Sequence, residues 1–483
     1  VQTCALPISA GVVHRLTPVA APVFAAPEAS RMPVVPDAAR VAAHVNTPWF
    51  CGAAPSGSNG SATSVVVVNP SDVPLEATIT VYSDSSSEAV QSSITVPARG
   101  HLEQSLAALQ PSGSVLGAVV DIQGGSSAIV EEKVVSAGLP GAKGTAGTAV
   151  AACANDASSM WYFADDYTLN GSAETLTLTN PYADAAIVDL TFSTNDGIRQ
   201  PQALQGVPVP PHSVVAVTQD MMPKNEAVMA ITVSASRGRV VAQRVQSYLG
   251  ERSGFSVALG TPARSSEWVF ADGESSPAVL FERYTIYNPG VDDVKVTSVL
   301  IGVTDPAFIG SRTDTVPAGG VLSFIAREFG KVPAGRHALV ASSEGGPIVM
   351  EQAITRLANA KDPSGPYTTS VSFGAPKAFE RTSRWSIGVG PTAPAKASLL
   401  VLNLADVDGT VTVKALGAAG ETPVAGLTSV PLPNGSVTAL DLTDPALVGA
   451  PLVVESDRAI IVLRFYVRGP GLSGRTAALA LPG

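Results

Sequence analysis

The chain has 483 residues, of which 45% are apolar and only 14% charged, so it is long enough for three or four domains of ordinary size. Its net charge of −10 and the absence of a basic stripe exclude nucleic acid as an expected partner, and no apolar run is long enough to predict a membrane span. Abundant Val, Ala, Thr, Ser, Gly and Pro, without a long amphipathic pattern, predict an all-β protein.

The first 47 residues are expected to lie outside any folded domain. Residues 1–8 match the translation of a sequencing adapter, and we interpret them as foreign to the protein. On that interpretation a natural signal peptide or anchor has been lost, and membrane contact would be made only through that missing N-terminal anchor. Residues 9–47 are rich in Ala, Pro and Val, which predicts an extended, semi-rigid stalk.

From residue 48 onward the chain repeats itself about every 110 residues, and the copies share landmarks at constant spacing. The four tryptophans of the chain are Trp49, Trp161, Trp268 and Trp385. An asparagine follows each of them 18 to 20 residues later, as Asn69, Asn180, Asn288 and Asn403. A proline turn comes 28 to 30 residues after each asparagine, at Pro97, Pro210, Pro317 and Pro433. Because the landmarks keep their register in all four copies, we predict four equivalent domains.

Each copy alternates apolar and polar residues in short runs, which indicates strands with one buried face. In the first copy the predicted strands are 49–52, 63–69, 75–83, 91–97, 101–108, 115–123 and 128–136. Seven strands separated by turn signals predict an antiparallel, immunoglobulin-like β-sandwich. We expect four tandem sandwiches, each with its own core, at residues 48–140, 158–250, 265–358 and 382–483. The intervening segments are rich in Gly, Ala, Ser and Pro and are treated as linkers.

The Trp, Asn-Pro and Val-Pro-x-Gly landmarks, with Trp49-Phe50-Cys51, resemble a family of actinobacterial envelope proteins known only as a domain of unknown function. The resemblance covers most of residues 49–483, although the fourth copy departs from it at Asn403-Leu404. It implies a secreted or N-terminally anchored protein. The family has no established catalytic residues, so the resemblance assigns none here.

Once Cys4 is set aside with the foreign residues, Cys51 and Cys153 remain as a pair. In an exported protein such a pair is most simply a disulfide. Because it would close a loop of about 100 residues in the unfolded chain, it would stabilise the folded protein by up to roughly 4.7 kcal/mol. Two unrelated buried thiols are the alternative.

An acidic cluster follows the tryptophan in the second and third copies, as Asp165, Asp166, Asp272 and Glu274. Several carboxylates in one loop could hold Ca²⁺, although a solvated turn is the simpler interpretation. We therefore expect no metal and no cofactor, with these four acids as weak metal-site candidates.

Other polar and aromatic residues receive structural interpretations. The five histidines, among them His337, are interpreted as solvated loop residues because no pair has metal-ligand spacing. Glu131, Glu132 and Glu351 are interpreted as solvent-facing residues of the final strands. Four tyrosines could provide exposed platforms for sugar or could be packed in cores: Tyr162, Tyr167, Tyr284 and Tyr287.

No catalytic motif occurs in the sequence, so we expect a protein that is not an enzyme. The leading hypothesis is a non-catalytic structural or interaction protein of the bacterial cell envelope, located outside the cytoplasm and bound to an envelope protein or polysaccharide. An envelope polysaccharide-binding protein is the second hypothesis. A hydrolase or transferase with an unrecognised site is the third.

Overall fold

A computed structural model describes the chain from residue 46 onward, apart from short gaps. The described ranges are 46–57, 60–124, 127–142, 145–169, 171–302, 308, 310–357, 362, 367–377, 382–391, 397–467 and 475–483. Residues 1–8 and nearly all of the stalk predicted at 9–47 lie outside them.

Strands dominate the described chain, and they follow one plan four times. In each repeat, one sheet contains the strand that carries the repeated tryptophan, and we call it the Trp sheet. The other contains the strand that ends at or beside the repeated asparagine, and we call it the Asn sheet. The first repeat comprises β1 (Thr47–Pro55), β2 (Ala62–Asn69), β3 (Leu75–Ser83), β4 (Val90–Val96), β5 (Gly100–Ser105), α1 (Leu106–Leu109), β6 (Val115–Ile122), β7 (Ile129–Ser136) and β8 (Gly147–Ala152). Its first seven strands lie where the alternation predicts them.

The second and third repeats have the same order of strands. The second comprises β9 (Met160–Asp166), β10 (Ala173–Asn180), β11 (Ala186–Thr194), β12 (Gly197–Arg199), β13 (Val207–Val209), β14 (Ser213–Thr218), β15 (Met229–Arg237), β16 (Val241–Tyr248) and β17 (Gly254–Leu259). The third comprises β18 (Glu267–Ser275), β19 (Val279–Tyr287), β20 (Val294–Ile301), β21 (Ser311–Val316), β22 (Val321–Ile325), β23 (Gly335–Glu344), β24 (Val349–Leu357), β25 (Tyr367–Phe373) and β26 (Ala375–Pro376).

The fourth repeat completes the set. It comprises β27 (Arg384–Ile387), β28 (Ala397–Asn403), β29 (Gly409–Gly417), β30 (Gly420–Pro423), β31 (Val430–Leu432), β32 (Val437–Leu442), β33 (Leu452–Ser456), β34 (Ile460–Val467), β35 (Arg475–Leu479) and β36 (Leu481–Pro482). Short 3₁₀ turns connect some strands, at Gln202–Leu204, Gln219–Met221, Gly250–Arg252, Ala326–Phe329 and Pro445–Leu447.

The order of strands within the sheets is the same in every repeat. The Asn sheets run β5-β2-β7-β8, β14-β10-β16-β17, β22-β19-β24-β25 and β32-β28-β34-β35. The Trp sheets run β4-β3-β6-β1, β12-β11-β15-β9, β21-β20-β23-β18-β26 and β30-β29-β33-β27-β36, with β13 on β11 and β31 on β29. Neighbours are antiparallel except at one place, where β17 and β25 pair in parallel through Gly254 and Thr369 and join two Asn sheets into one.

Each tryptophan lies in the core between the two sheets of its repeat. All four are completely buried, and the surrounding residues are mostly Val, Leu, Ile and Ala from both sheets. The indole Nε1–H of Trp161 donates a hydrogen bond to the carbonyl of Val240 at 2.8 Å, and Trp268 does the same to Ile348 at 3.0 Å. Each of these hydrogen bonds joins the tryptophan-bearing strand of the Trp sheet to the residue just before β16 or β24 of the Asn sheet.

Each asparagine joins its own turn to the proline turn that follows later in the chain. The side-chain Nδ2 of Asn180 donates to the carbonyls of Asp184, Val209 and Pro210 at 2.8 to 3.1 Å, and Oδ1 accepts from the amide of Tyr182. Asn69, Asn288 and Asn403 make the corresponding contacts. The constant spacing between asparagine and proline thus reflects a direct contact.

The segments treated as linkers contain strands. β8, β17 and β25 begin after residues 140, 250 and 358, where the first three sandwiches were expected to end. Each is the last strand that its repeat adds to the Asn sheet. These strands and β35 meet at the centre of the molecule, where β8 and β25 each pack against both β17 and β35. Their many small residues allow the four backbones to approach one another. The same residues give these segments a composition typical of linkers, which explains the earlier interpretation.

The chain of each repeat returns to its own first strand. In the first repeat Phe50 and Ala154 exchange backbone hydrogen bonds, and the adjacent Cys51 and Cys153 form a disulfide with Cα atoms 4.3 Å apart. The predicted pairing of the two cysteines is therefore confirmed. In the third and fourth repeats β26 and β36 close the chain on β18 and β27 without a covalent bond.

Successive repeats pack on one another in a closed cycle. β1 packs against β10 and β16 of the second repeat, β9 against β19 and β24 of the third, and β18 against β28 and β34 of the fourth. The cycle closes because the fourth repeat, at Val389, bonds to Glu131 in β7 of the first. The described residues from 46 onward accordingly belong to one compact unit, in which apolar clusters join the first, third and fourth repeats, the first and second, and the second and third.

Candidate functional site

The interface between the second and third repeats contains a buried ion pair. The guanidinium of Arg244 in β16 donates to both carboxylate oxygens of Glu351 in β24, at 2.8 and 3.1 Å. The amides of Ala164 and Asp165 in β9 also donate to Glu351, each at 2.7 Å. Burial would lower the pKa of Arg244, but the carboxylates of Glu351 and Asp166 outweigh it and raise the pKa well above its ordinary value. The carboxylate is thus held by one repeat while belonging to the next.

The same arrangement closes the cycle between the fourth and first repeats. Arg464 in β34 donates to both oxygens of Glu131 in β7, at 2.8 and 2.5 Å, and the amide of Val389 donates to Glu131 at 2.7 Å. Gly388 leaves the room for this contact, because a β-carbon there would lie 2.9 Å from the Glu131 carboxylate. Two of the four interfaces therefore share one chemical design.

The other two interfaces have no arginine–glutamate pair at the corresponding positions. Between the first and second repeats, Gln243 donates to Glu132 at 2.6 Å. Burial raises the pKa of Glu132 to about 8, although the hydrogen bond from Gln243 lowers it in part. Between the third and fourth repeats these positions hold Gln352 and the buried Leu463, and Gln352 donates to the carbonyl of Asp272 within its own repeat at 2.7 Å.

These positions correct the interpretation of the glutamates as solvent-facing. Glu131, Glu132 and Glu351 are all completely buried. Charged side chains on a strand usually face solvent. Here the face of the Asn sheet that carries them is covered by the tryptophan-bearing strand of the neighbouring repeat. The available signal was repetition, because a long polar side chain occurs at one or both of two adjacent strand positions in every copy: Glu131-Glu132, Gln243-Arg244, Glu351-Gln352 and Leu463-Arg464.

The four acids considered for a metal site are instead partners of arginines. Asp165 pairs with Arg252 and accepts from Thr285 at 3.0 Å. Asp166 lies 3.1 Å from Arg244. Asp272 and Glu274 lie 2.5 and 3.3 Å from Arg356. Within the described ranges, no group of three or more His, Cys, Asp or Glu side chains could hold a metal ion.

Two of the buried carboxyl groups in the second repeat lie together. Burial raises the pKa of Asp166 and of Glu174, and the nearby Glu174 carboxylate raises that of Asp166 further. Asp165 behaves in the opposite way, because attraction to Arg252, Arg283 and Arg244 outweighs burial and lowers its pKa. The neighbouring carboxyl groups Asp165 and Asp166 therefore have pKa values shifted in opposite directions.

The third repeat contains a cavity of about 360 Å³ with acidic and imidazole groups in its wall. It lies between the end of β18, the start of β19, the 3₁₀ turn Ala326–Phe329 and His337 in β23. His337 Nε2 lies 3.0 Å from Glu282, and the hydroxyl of Tyr284 donates to the same carboxylate oxygen at 2.6 Å. Burial raises the pKa of Tyr284, and Glu282 raises it further.

His337 corrects a second interpretation, since it is not a solvated loop residue. It is 1% exposed and lies in a strand of the Trp sheet. Gly273 opposite it makes room for the ring, because a β-carbon there would lie 2.3 Å from the imidazole. The four tyrosines weighed as sugar platforms are also buried, so they contribute to packing: Tyr162, Tyr167, Tyr284 and Tyr287.

A second cavity, of about 100 Å³, lies where β8, β17, β25 and β35 meet, and its wall is mostly Val, Ala, Leu and Phe. Ligand cavities are usually about 300 Å³ or larger. The central cavity is therefore a packing feature. Among the described residues, two cavities exceed that volume: the third-repeat cavity, whose wall carries Glu282 and His337, and one of about 380 Å³ lined by Glu267, Val269, Val340, Pro376, Lys377, Leu404 and Ile461. No helix in the described part of the chain is long and apolar enough to cross a membrane.

Comparison with solved structures gives two alignments of low similarity. The crystal structure of Thermotoga maritima 1070 aligns with 24% of this chain and 96% of its own, at 16% identity and a TM-score of 0.21. A tetra-tandem repeat in the extending region of a large adhesion protein aligns with 90% of this chain and 99% of its own, at 11% identity and a TM-score of 0.12. At these TM-scores neither likeness bears on the fold or function.

Comparison of sequences gives one match, to part of the chain. No curated protein sequence matches it. Residues 134–364, which run from the end of the first repeat to the third, match DUF5719, a family of unknown function. The resemblance to a domain of unknown function is therefore confirmed for the central part of this chain.

Proposed function

We propose that this chain is a non-catalytic interaction protein of the bacterial cell envelope, in which four immunoglobulin-like repeats form one rigid platform. The observation that carries the proposal is the cycle of buried contacts, closed by Arg464 and Glu131 across 333 positions of the chain. Four similar repeats held together by buried interfaces present similar surfaces several times, which suits contact with a partner.

The location outside the cytoplasm is supported by the disulfide. Cys51 and Cys153 are bonded and buried, and structural disulfides persist in oxidising compartments. The disulfide fastens the closing segment of the first repeat onto β1, so it contributes to the rigidity of the platform.

An interaction role is supported by apolar side chains at equivalent turns. Within four residues after each repeated asparagine, a large apolar side chain points into solvent: Val73, Tyr182, Val291 and Val407, with exposed fractions of 56, 38, 91 and 56%. Single exposed apolar residues are common on protein surfaces. They recur in the same turn of every repeat, two to four residues after the asparagine; packing does not explain this, and contact with a partner would explain it.

The test is affinity capture from envelope extracts with the full chain as bait, with protein and glycan both measured. The matched bait carries Val73→Ser, Tyr182→Ser, Val291→Ser and Val407→Ser, which leave the cores untouched. We expect a protein partner that the wild-type bait captures and the variant loses. Capture of polysaccharide alone would favour a polysaccharide-binding protein instead, and equal capture by both baits would refute the role of the turns.

A further inference from the structure

Two ionisable side chains, His337 and Glu282, lie in the wall of the cavity. His337 takes the place of Leu116 in the first repeat and Met229 in the second, judged by its register with the repeated tryptophan. Glu282, six residues before the asparagine, takes the place of Thr63 in the first repeat and Ala397 in the fourth, whereas the second repeat also has a buried glutamate there, Glu174. Burying ionisable groups costs free energy, and the third repeat is the one that places a histidine beside the glutamate at this position.

The wall of the cavity supplies hydrogen-bond acceptors. Glu282 Oε1 accepts from the hydroxyl of Tyr284 and lies 3.0 Å from Nε2 of His337, while Oε2 accepts the amide of Glu274 at 3.0 Å and keeps one lone pair. Nδ1 of His337 is buried and has no partner among the described residues, so we assign the imidazole to positioning Glu282. The carboxylates of Glu274 and Glu282 both line the cavity, which suits a ligand that supplies hydroxyl or similar donors.

The rim of the cavity has the opposite character. Arg327 and Lys331 both line the cavity, and both are exposed. The Arg327 guanidinium lies 5.6 Å from the centre of the Phe281 ring, which forms part of the wall with Val279 and Ile325. Two cations above an apolar wall and a floor of acceptors suit a molecule with hydroxyl groups at one end and an anionic group at the other.

We propose that the cavity of the third repeat binds a single acidic sugar residue. Its anionic group lies between Arg327 and Lys331, its ring contacts Phe281, and its hydroxyls donate to Glu282, which His337 positions. The volume of about 360 Å³ is within the range of small-molecule sites. A uronic acid and a sugar phosphate share this chemistry. The site lies in one repeat only, so it is separate from the four equivalent turns.

The test is calorimetric titration of the full chain with glucuronic acid, glucose 6-phosphate and glucose. We expect at least one of the two acids to bind at least tenfold more tightly than glucose, and the tighter acid identifies the anionic group. Arg327→Ala with Lys331→Ala should weaken acid binding at least tenfold and leave glucose binding unchanged. His337→Leu, which copies Leu116, should abolish binding of all three.

Controls keep the outcome interpretable. His101→Gln changes an exposed histidine of the first repeat and should bind like the wild type. If His337→Leu fails to fold, as judged by its thermal midpoint, the double variant at the exposed rim decides the question. The proposal is overturned if no probe binds at millimolar concentration, if glucose binds as tightly as both acids, or if the rim variant keeps the full affinity for the acid.

Discussion

Glu131 and Arg464 form a two-point ion pair between the first and last repeats, and neither side chain is more than 1% exposed. Glu351 and Arg244 repeat the arrangement between the second and third repeats. A buried pair is weak support for stability as such, because desolvation offsets much of the attraction. A buried pair can also specify which surfaces meet, and we infer that here it favours the order in which the four repeats pack.

Removal of one partner should therefore be costly. Glu131→Leu leaves the guanidinium of Arg464 buried beside apolar atoms, and we expect the free energy of unfolding to fall by roughly 3–5 kcal/mol. Urea denaturation followed by tryptophan fluorescence measures this, since Trp49 and Trp385 lie in the adjoining repeats. Glu103→Gln, which breaks a half-exposed pair with Lys133, should cost only about 0–1 kcal/mol.

The chain supplies its own model for a rescue. Between the third and fourth repeats the corresponding positions hold Gln352 and Leu463, so Arg464→Gln combined with Glu131→Leu copies that interface. We expect the double variant to recover more than half of the stability lost by Glu131→Leu. Equal losses in the single and double variants would mean that the pair does not act as a unit.

Glu132 predicts a decline in stability towards alkaline pH. Its pKa is about 8 in the folded chain and 4.5 in the reference state, so between these values the folded state binds more protons than the unfolded state. The free energy of unfolding then decreases as pH rises, by up to roughly 1.4 kcal/mol per pH unit. Glu132→Gln removes this contribution. Thermal midpoints of variant and wild type should diverge from pH 5 to pH 9 in favour of the variant, and parallel curves would contradict the assignment.

The repeat and its landmarks were accessible from sequence because their contacts lie within one repeat. Asn180 and Pro210 are in direct contact, so their spacing is conserved between copies and the alternation around them locates the strands. The cysteine pair was accessible for a similar reason, since both residues belong to the first repeat.

The closure of the cycle of four repeats could not be predicted from the sequence in the same way. Glu131 contacts Arg464 only when the other three repeats are in place. The residues next to Glu131 in the sequence do not indicate whether its side chain faces another repeat or solvent. β8 was hidden by its composition, because Gly147–Ala152 is small and flexible in isolation and becomes a strand by pairing with β7. His337 was hidden because its partner Glu282 comes from another strand and the cavity forms only in the folded repeat.

Loss of the disulfide should destabilise the first repeat. The bond joins cysteines 102 positions apart, and removal of a native disulfide typically costs about 2–5 kcal/mol. Cys51→Ala with Cys153→Ala should lower the urea concentration at the midpoint of unfolding. Dithiothreitol should do the same to the wild type. The double variant is the control, because the reductant must not change its midpoint further.

Asn288 tests whether the repeated asparagines fasten the two sheets together. Its Nδ2 donates to the carbonyls of Asp292, Val316 and Pro317 at 2.8 to 3.1 Å, and the side chain is completely buried. Asn288→Ala leaves these acceptors without their donor, so we expect a loss of about 2–3 kcal/mol in the free energy of unfolding. Asn434→Ala removes an exposed amide that bonds only to Asp406 and should cost less than about 0.5 kcal/mol. If the two variants lose the same stability, the asparagine is only a turn residue and the contact with Pro317 does not hold the sheets together.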